Sequence, residues 1–146
     1  MKYPKQFFAL LLASLLASSI SQAATSKEIR PNQVPQSVKF YLSQPEGKIV
    51  TLTFQNSALP AKFLCYFDTS PQTKGIRASI TSDNNILDFS SDGSSNIMEA
   101  GKSKPAMFTV ASATGNQRKG SVTFTLDMSG SKFRGNSISM TCTMSK

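Results

Sequence analysis

Apolar and polar residues alternate most clearly in the second half of the chain. Val122, Phe124 and Leu126 fall on one face of an extended segment, with Ser121, Thr123 and Thr125 on the other. Near the C-terminus Ile138, Met140, Cys142 and Met144 oppose Ser137, Ser139, Thr141 and Thr143 in the same manner. A period of two is the mark of a half-buried antiparallel strand, because successive side chains of a strand point to opposite faces of the sheet. Val38, Phe40 and Leu42 repeat the pattern, as do Val50, Leu52 and Phe54.

Proline and glycine fall between the runs, at Pro45, Gly47, Pro60, Pro71, Gly75, Gly93, Gly101, Pro105, Gly115, Gly120, Gly130 and Gly135, touching only run ends. Strands are therefore expected near Val38–Ser43, Ile49–Gln55, Lys62–Phe67, Ile76–Thr81, Ile86–Ser90, Ala106–Ala111, Ser121–Asp127 and Ser137–Met144. The Ser-rich stretch Ser90–Asn96 reads as a mobile loop. Nothing after residue 24 has a long helical period. The expectation is an all-β fold: an antiparallel β-sandwich, immunoglobulin-like, of about seven to eight strands with one disulfide. A jelly roll or barrel is the alternative.

One strand breaks the alternation. In Phe63-Leu64-Cys65-Tyr66-Phe67 both faces are apolar. Phe63, Cys65 and Phe67 are expected in the core, which leaves Leu64 and Tyr66 either covered by another segment or exposed as a candidate apolar contact patch.

The N-terminus bears on compartment. Lys2 and Lys5 precede an apolar run from Phe7 to Ile20, and Ser21-Gln22-Ala23 carries the small residues of a signal-peptidase site. Residues 1–23 are read as a signal peptide, 24–37 as a flexible N-terminal lead and 38–146 as the sandwich domain. The run is shorter than the roughly 20 apolar residues of a membrane-spanning helix, and no comparable run follows it. The processed chain is expected in the periplasm or outside the cell, with no transmembrane segment. A pilin-like donor strand in the lead is disfavoured by Pro31 and Pro35, which remove backbone donors.

Charge and cysteine content narrow the class. After cleavage, 14 basic residues stand against 8 acidic ones, a net charge of +6. No basic run or interleaved Arg and aromatic motif accompanies it, so solubility charge is expected rather than a nucleic-acid surface. Two cysteines in an oxidising compartment are expected to pair, Cys65 with Cys142. Histidine is absent, and cysteines 77 positions apart lack the paired spacing of a zinc site. A bridge closing such a loop is worth about 4 kcal/mol on a chain-entropy model. In a plain seven-strand immunoglobulin count the two cysteine strands share a sheet with another strand between them. The bridge is therefore expected to need a split first strand, with Lys62–Phe67 in the sheet opposite Ser137–Met144.

Candidate chemistry is sparse. Without histidine the Ser–His and Cys–His nucleophile arrangements are absent. Ser129-Gly130-Ser131-Lys132 matches S-x-x-K, yet it contains glycine, sits between two strand runs and has no S-D-N or K-T-G after it, so it reads as a turn. Asp83, Asp88 and Asp92 lack the glycine and terminal glutamate of a calcium loop. No catalytic residue, metal ligand or cofactor site is assigned. Lys102, Lys104, Lys132 and Arg134 are expected at one end of the sandwich, a candidate basic contact end weighed against plain solubility charge. The function expected is non-catalytic: an exported module recognising a protein or glycan, or joining an envelope assembly. A pilin-like subunit of a surface polymer and a secreted inhibitor or effector are the alternatives.

Overall fold

The computed structural model describes residues 24–33, 35–41, 46–68, 75–90, 95–100, 105–132 and 137–146. Residues 1–23, expected as a signal peptide, therefore lie outside it, as do Leu42, Asp92 and most of the Ser-rich stretch. Ten strands are present: β1 (Ala24–Glu28), β2 (Gln36–Tyr41), β3 (Glu46–Gln55), β4 (Ala61–Asp68), β5 (Arg77–Thr81), β6 (Asn85–Asp88), β7 (Ile97–Glu99), β8 (Ala106–Ala113), β9 (Lys119–Asp127) and β10 (Ser137–Ser145). Each of the eight expected strands has its counterpart. The two additions are β1, inside the segment expected as a flexible lead, and the three-residue β7.

Two five-stranded sheets pack face to face in a β-sandwich. The first has the order β1-β3-β9-β5-β7 and the second β2-β10-β4-β8-β6. Odd-numbered strands make one sheet and even-numbered strands the other, so no two consecutive strands pair and every connection crosses between the sheets. An immunoglobulin strand count contains hairpins between neighbours; here the chain is wound over and under between the two sheets, with no such hairpin. All pairings are antiparallel except β1 with β3, which is parallel.

The core follows the period-two pattern. Val50, Leu52 and Phe54 of β3 and Val122, Phe124 and Leu126 of β9 are buried from the first sheet, and Phe63, Phe108, Val110, Met140 and Met144 from the second. Phe63 sits at the centre, its ring 5.3 Å from both Phe54 and Phe108. The apolar side chains removed from water on these inner faces supply the main driving force for the sandwich.

Cys65 and Cys142 are bonded, with Cα atoms 4.2 Å apart, and both are fully buried. Their relation corrects the expected topology: β4 and β10 are neighbours in the second sheet, and Cys65 lies directly across from Cys142. The expected placement of Lys62–Phe67 in the opposite sheet is not found. Two inward residues facing one another on adjacent antiparallel strands already have the close Cα spacing that a bridge needs, so the staple joins strand to strand within one layer.

Residues of the N-terminal segment strap one side of the sandwich. Ile29 is buried and its N–H donates to the Thr53 carbonyl in β3 at 2.8 Å, while the Asn32 N–H donates to the Met144 carbonyl in β10 at 3.0 Å. Among its described residues Ile29 is the large apolar side chain that anchors this polar stretch. The chain passes from the first sheet to the second there, over the β1/β2 edge.

Candidate functional site

The opposite edge is built differently. β7 closes the first sheet with three residues, Ile97–Glu99, paired to Arg77–Ser79 of β5. It starts where Ser95 Oγ accepts from the Ile97 N–H at 3.2 Å, and the Ala100 N–H donates to the Ile76 carbonyl just beyond it. β6 closes the second sheet with four residues, paired to β8 across a register shift at Ile86/Leu87. It stops at Asp88, whose carboxylate accepts from the Ser90 N–H at 2.8 Å in a local turn that competes with strand continuation. A shallow groove of about 530 Å³ lies at this edge, between the end of β5, β6 with the residue after it, and the two residues leading into β7.

Ile80, Leu87 and Phe89 form its apolar lining, and Thr81, Ser82, Asn85, Ser95 and Asn96 line the rest. Phe89 packs on Phe108 with ring centroids 5.3 Å apart, which ties this wall to the core. Ile86 on β6 is 53% exposed and Ile97 on β7 47%, so each edge strand presents an isoleucine to solvent. The outer backbone edges of β6 and β7 have no neighbouring strand among the described residues.

Asn85 holds one end of the groove. Buried at 8% exposure, its side-chain amide donates to Asn56 Oδ1 at 3.2 Å and to the Ser112 carbonyl at 3.4 Å, and its Oδ1 accepts from the Ser121 N–H at 3.2 Å. Its own N–H donates to Ser82 Oγ, which donates in turn to the Ser121 carbonyl at 2.6 Å. This arrangement depends on Gly120, where a Cβ would collide with Asn85, Asn56 and Phe54.

Electrostatics at the rim are acidic. Asp83 is exposed and Asp88 half-buried, and hydrogen bonds from the Ser90 hydroxyl and then its N–H hold the Asp88 carboxyl below its usual range. None of the eight lining residues is charged. Glu99 on β7 is engaged by Arg77, Nε to Oε1 at 3.1 Å.

The residues singled out in the sequence lie elsewhere. Leu64 and Tyr66 are on the outer face of the second sheet, Leu64 half-buried between Met107 and Thr143 and Tyr66 41% exposed beside Thr141. Thr141 is itself buried and donates from its hydroxyl to Asp68 at 2.6 Å. β4 here is paired on both sides, by β10 and β8, so this is a sheet surface and not a cleft. Lys132 is exposed after β9, while Lys102, Lys104 and Arg134 lie outside the described residues. Ser129-Gly130-Ser131-Lys132 begins in a turn, with the Ser131 N–H on the Met128 carbonyl at 2.9 Å. Among the described residues no three His, Cys, Asp or Glu side chains come together as a metal site, and no helix is long and apolar enough to cross a membrane.

The groove escaped sequence reading because its lining comes from three separate segments. A signal was present in Ile86-Leu87-Asp88-Phe89, where neighbouring apolar residues cannot all face one core.

The fold and groove define a disulfide-linked β-sandwich with one strapped edge and one open edge. No family model, curated protein or solved structure matches the chain.

Proposed function

We propose that the chain is an exported, non-catalytic binding module that takes an extended segment of a protein partner at the β6/β7 edge. The observation carrying this reading is the combination of a partly apolar groove with two strand edges that have no neighbouring strand among the described residues. Extended peptides bind such edges by adding a strand, the main chain supplying hydrogen bonds and alternate side chains filling pockets. Ile80, Leu87 and Phe89 offer the pocket, and exposed Ile86 and Ile97 flank it. Leu64 and Tyr66 lie on β4, which is paired on both sides and has no free edge. Export is supported by the apolar leader and by the buried disulfide, a bond that persists in oxidising compartments.

Replacing Ile86 and Ile97 together by Glu tests the reading. Both side chains are about half exposed, so the fold should tolerate the change. Capture of a protein partner from the envelope or medium should fall by about tenfold or more, since apolar contacts at an interface centre carry most of the affinity. Retained capture, or capture lost on changing Leu64 and Tyr66 instead, would move the site off the groove.

A further inference from the structure

The outer edge of β7 carries a cap of its own. The Ile80 N–H donates to the Asn96 carbonyl and the Ala100 N–H to the Ile76 carbonyl, each at 2.8 Å, with Met98 across from Ala78 between them. Asn96, Met98 and Ala100 therefore turn their backbone groups toward β5. The direction of these groups alternates along a strand, so the N–H and C=O of Ile97 point the other way, toward the open edge. One side chain engages both: Ser95 Oγ accepts from the Ile97 N–H at 3.2 Å and donates to the Ile97 carbonyl at 3.1 Å. In an antiparallel ladder, a hydrogen-bonded pair of residues exchanges these same two kinds of bond. A hydroxyl is donor and acceptor at once, and Ser95 supplies from within the chain what a residue of an added strand would supply.

The hydroxyl on β6 is of another kind. The Asn85 N–H donates to Ser82 Oγ at 3.1 Å, but Ser82 is half-buried and donates onward to the Ser121 carbonyl at 2.6 Å, within the Asn85 network. Ser95 is exposed and lines the groove, and its two bonds to Ile97 lie at the long end of the normal range. Ser82 is a fixture of the fold, whereas the Ser95 hydroxyl can turn to water at small cost.

We infer that Ser95 guards the open edge: its hydroxyl fills the strand position beside Ile97 until an extended segment displaces it. This rests on the reading of the groove as a strand-accepting site and names the residue that sets its selectivity. A bare strand edge is a template for any chain that can pair with it, and natural sheets blunt such edges. Displacing Ser95 sets the bonds lost against the bonds gained, so a segment that brings main-chain hydrogen bonds alone gains little. A segment whose alternate side chains also fill the pocket of Ile80, Leu87 and Phe89 gains more, and the guard favours it over the rest.

The test compares the purified oxidised protein with its Ser95→Ala and Ser95→Thr variants in two measurements. One is amide hydrogen exchange at Ile97. The other is affinity for a fluorescent peptide copying residues 75–82, which contain β5, a strand already paired with β7 on its other side. In Ser95→Ala, exchange at Ile97 should be about fivefold faster and the peptide should bind about fivefold more tightly, the scale of one net hydrogen bond. Ser95→Thr keeps the hydroxyl and should match the parent in both, a rescue that a loosened fold cannot produce. Peptide binding that is absent, unchanged or weaker in Ser95→Ala would overturn the inference, as would exchange at Ile97 equal to that of the parent. If that happens while the Ile86/Ile97 variant still loses its protein partner, the guard fails and the groove reading stands. If capture is also indifferent to Ile86 and Ile97, both fall.

Discussion

Asn85 shows how a polar side chain can be buried without penalty at a site margin. Its donors and acceptor are all engaged, linking Asn56, Ser112 and Ser121 around the end of the groove. Removing it leaves the Ser121 N–H and the Asn56 carbonyl oxygen short of partners, and a buried polar group so stranded costs about 1–3 kcal/mol. Asn85→Ala should lower the unfolding free energy by about 2 kcal/mol in urea titration, with the groove less well held. Two carboxylates, those of Asp88 and Asp127, act on stability through pH. The Ser90 hydroxyl and N–H lower the Asp88 pKa, and the Ser129 N–H and hydroxyl, with Arg77 contributing, lower that of Asp127. A carboxyl with a depressed folded-state pKa stabilises the fold above its ordinary value of 3.8 and loses that contribution as the pH falls through the lowered value. Thermal melts at neutral and acid pH should therefore differ less for Asp88→Asn with Asp127→Asn than for the parent chain. An unchanged difference would remove these two turns from the account of acid sensitivity.

At the scale of elements, β4 and β10 are the pair on which the second sheet is assembled. They lie side by side in the middle of its order, and the Cys65–Cys142 bond joins them across the register. Cys65→Ser with Cys142→Ser should cost about 4 kcal/mol, the loop-closure entropy of a bridge between residues this far apart in sequence. Denaturant unfolding of the oxidised protein measures it, and a loss within error would mean that the bond adds nothing to the packing. The strands themselves were legible because burial on one face writes a period of two into β3, β9 and β10. The pairing of the cysteine strands was not, since the period tells which face is buried and says nothing about which strand lies alongside. β1 and β7 left no trace for physical reasons of their own: β1 is polar apart from the anchoring Ile29 beyond its end, and three residues in β7 are too few to show a period.

For the whole molecule, the alternation of successive strands between sheets has a consequence for function. No hairpin stands at either edge, so the outermost strands are joined to the opposite layer and one of the two edges receives a strap from the N-terminal segment. The other edge receives none among the described residues, and the groove results from that asymmetry. The candidate site could not be read from sequence because it is a product of strand order, with Ile80, Leu87, Phe89 and Ser95 meeting only after the sheets stack. The residues that did stand out, Leu64 and Tyr66, are apolar on the outer face of a fully paired strand, a position where pattern alone cannot distinguish contact surface from sheet cover.

Placement of a photoreactive side chain at Ile86, in the cells that make the protein, tests the central claim most directly. The same group at Thr51, half-buried on the outward side of β3 with β9 and β5 between it and β7, serves as the reference. The account predicts a covalent adduct of defined mass from position 86 on illumination and none from position 51. Equal labelling from the two positions, or an adduct from position 51 alone, would contradict a binding site at the open edge.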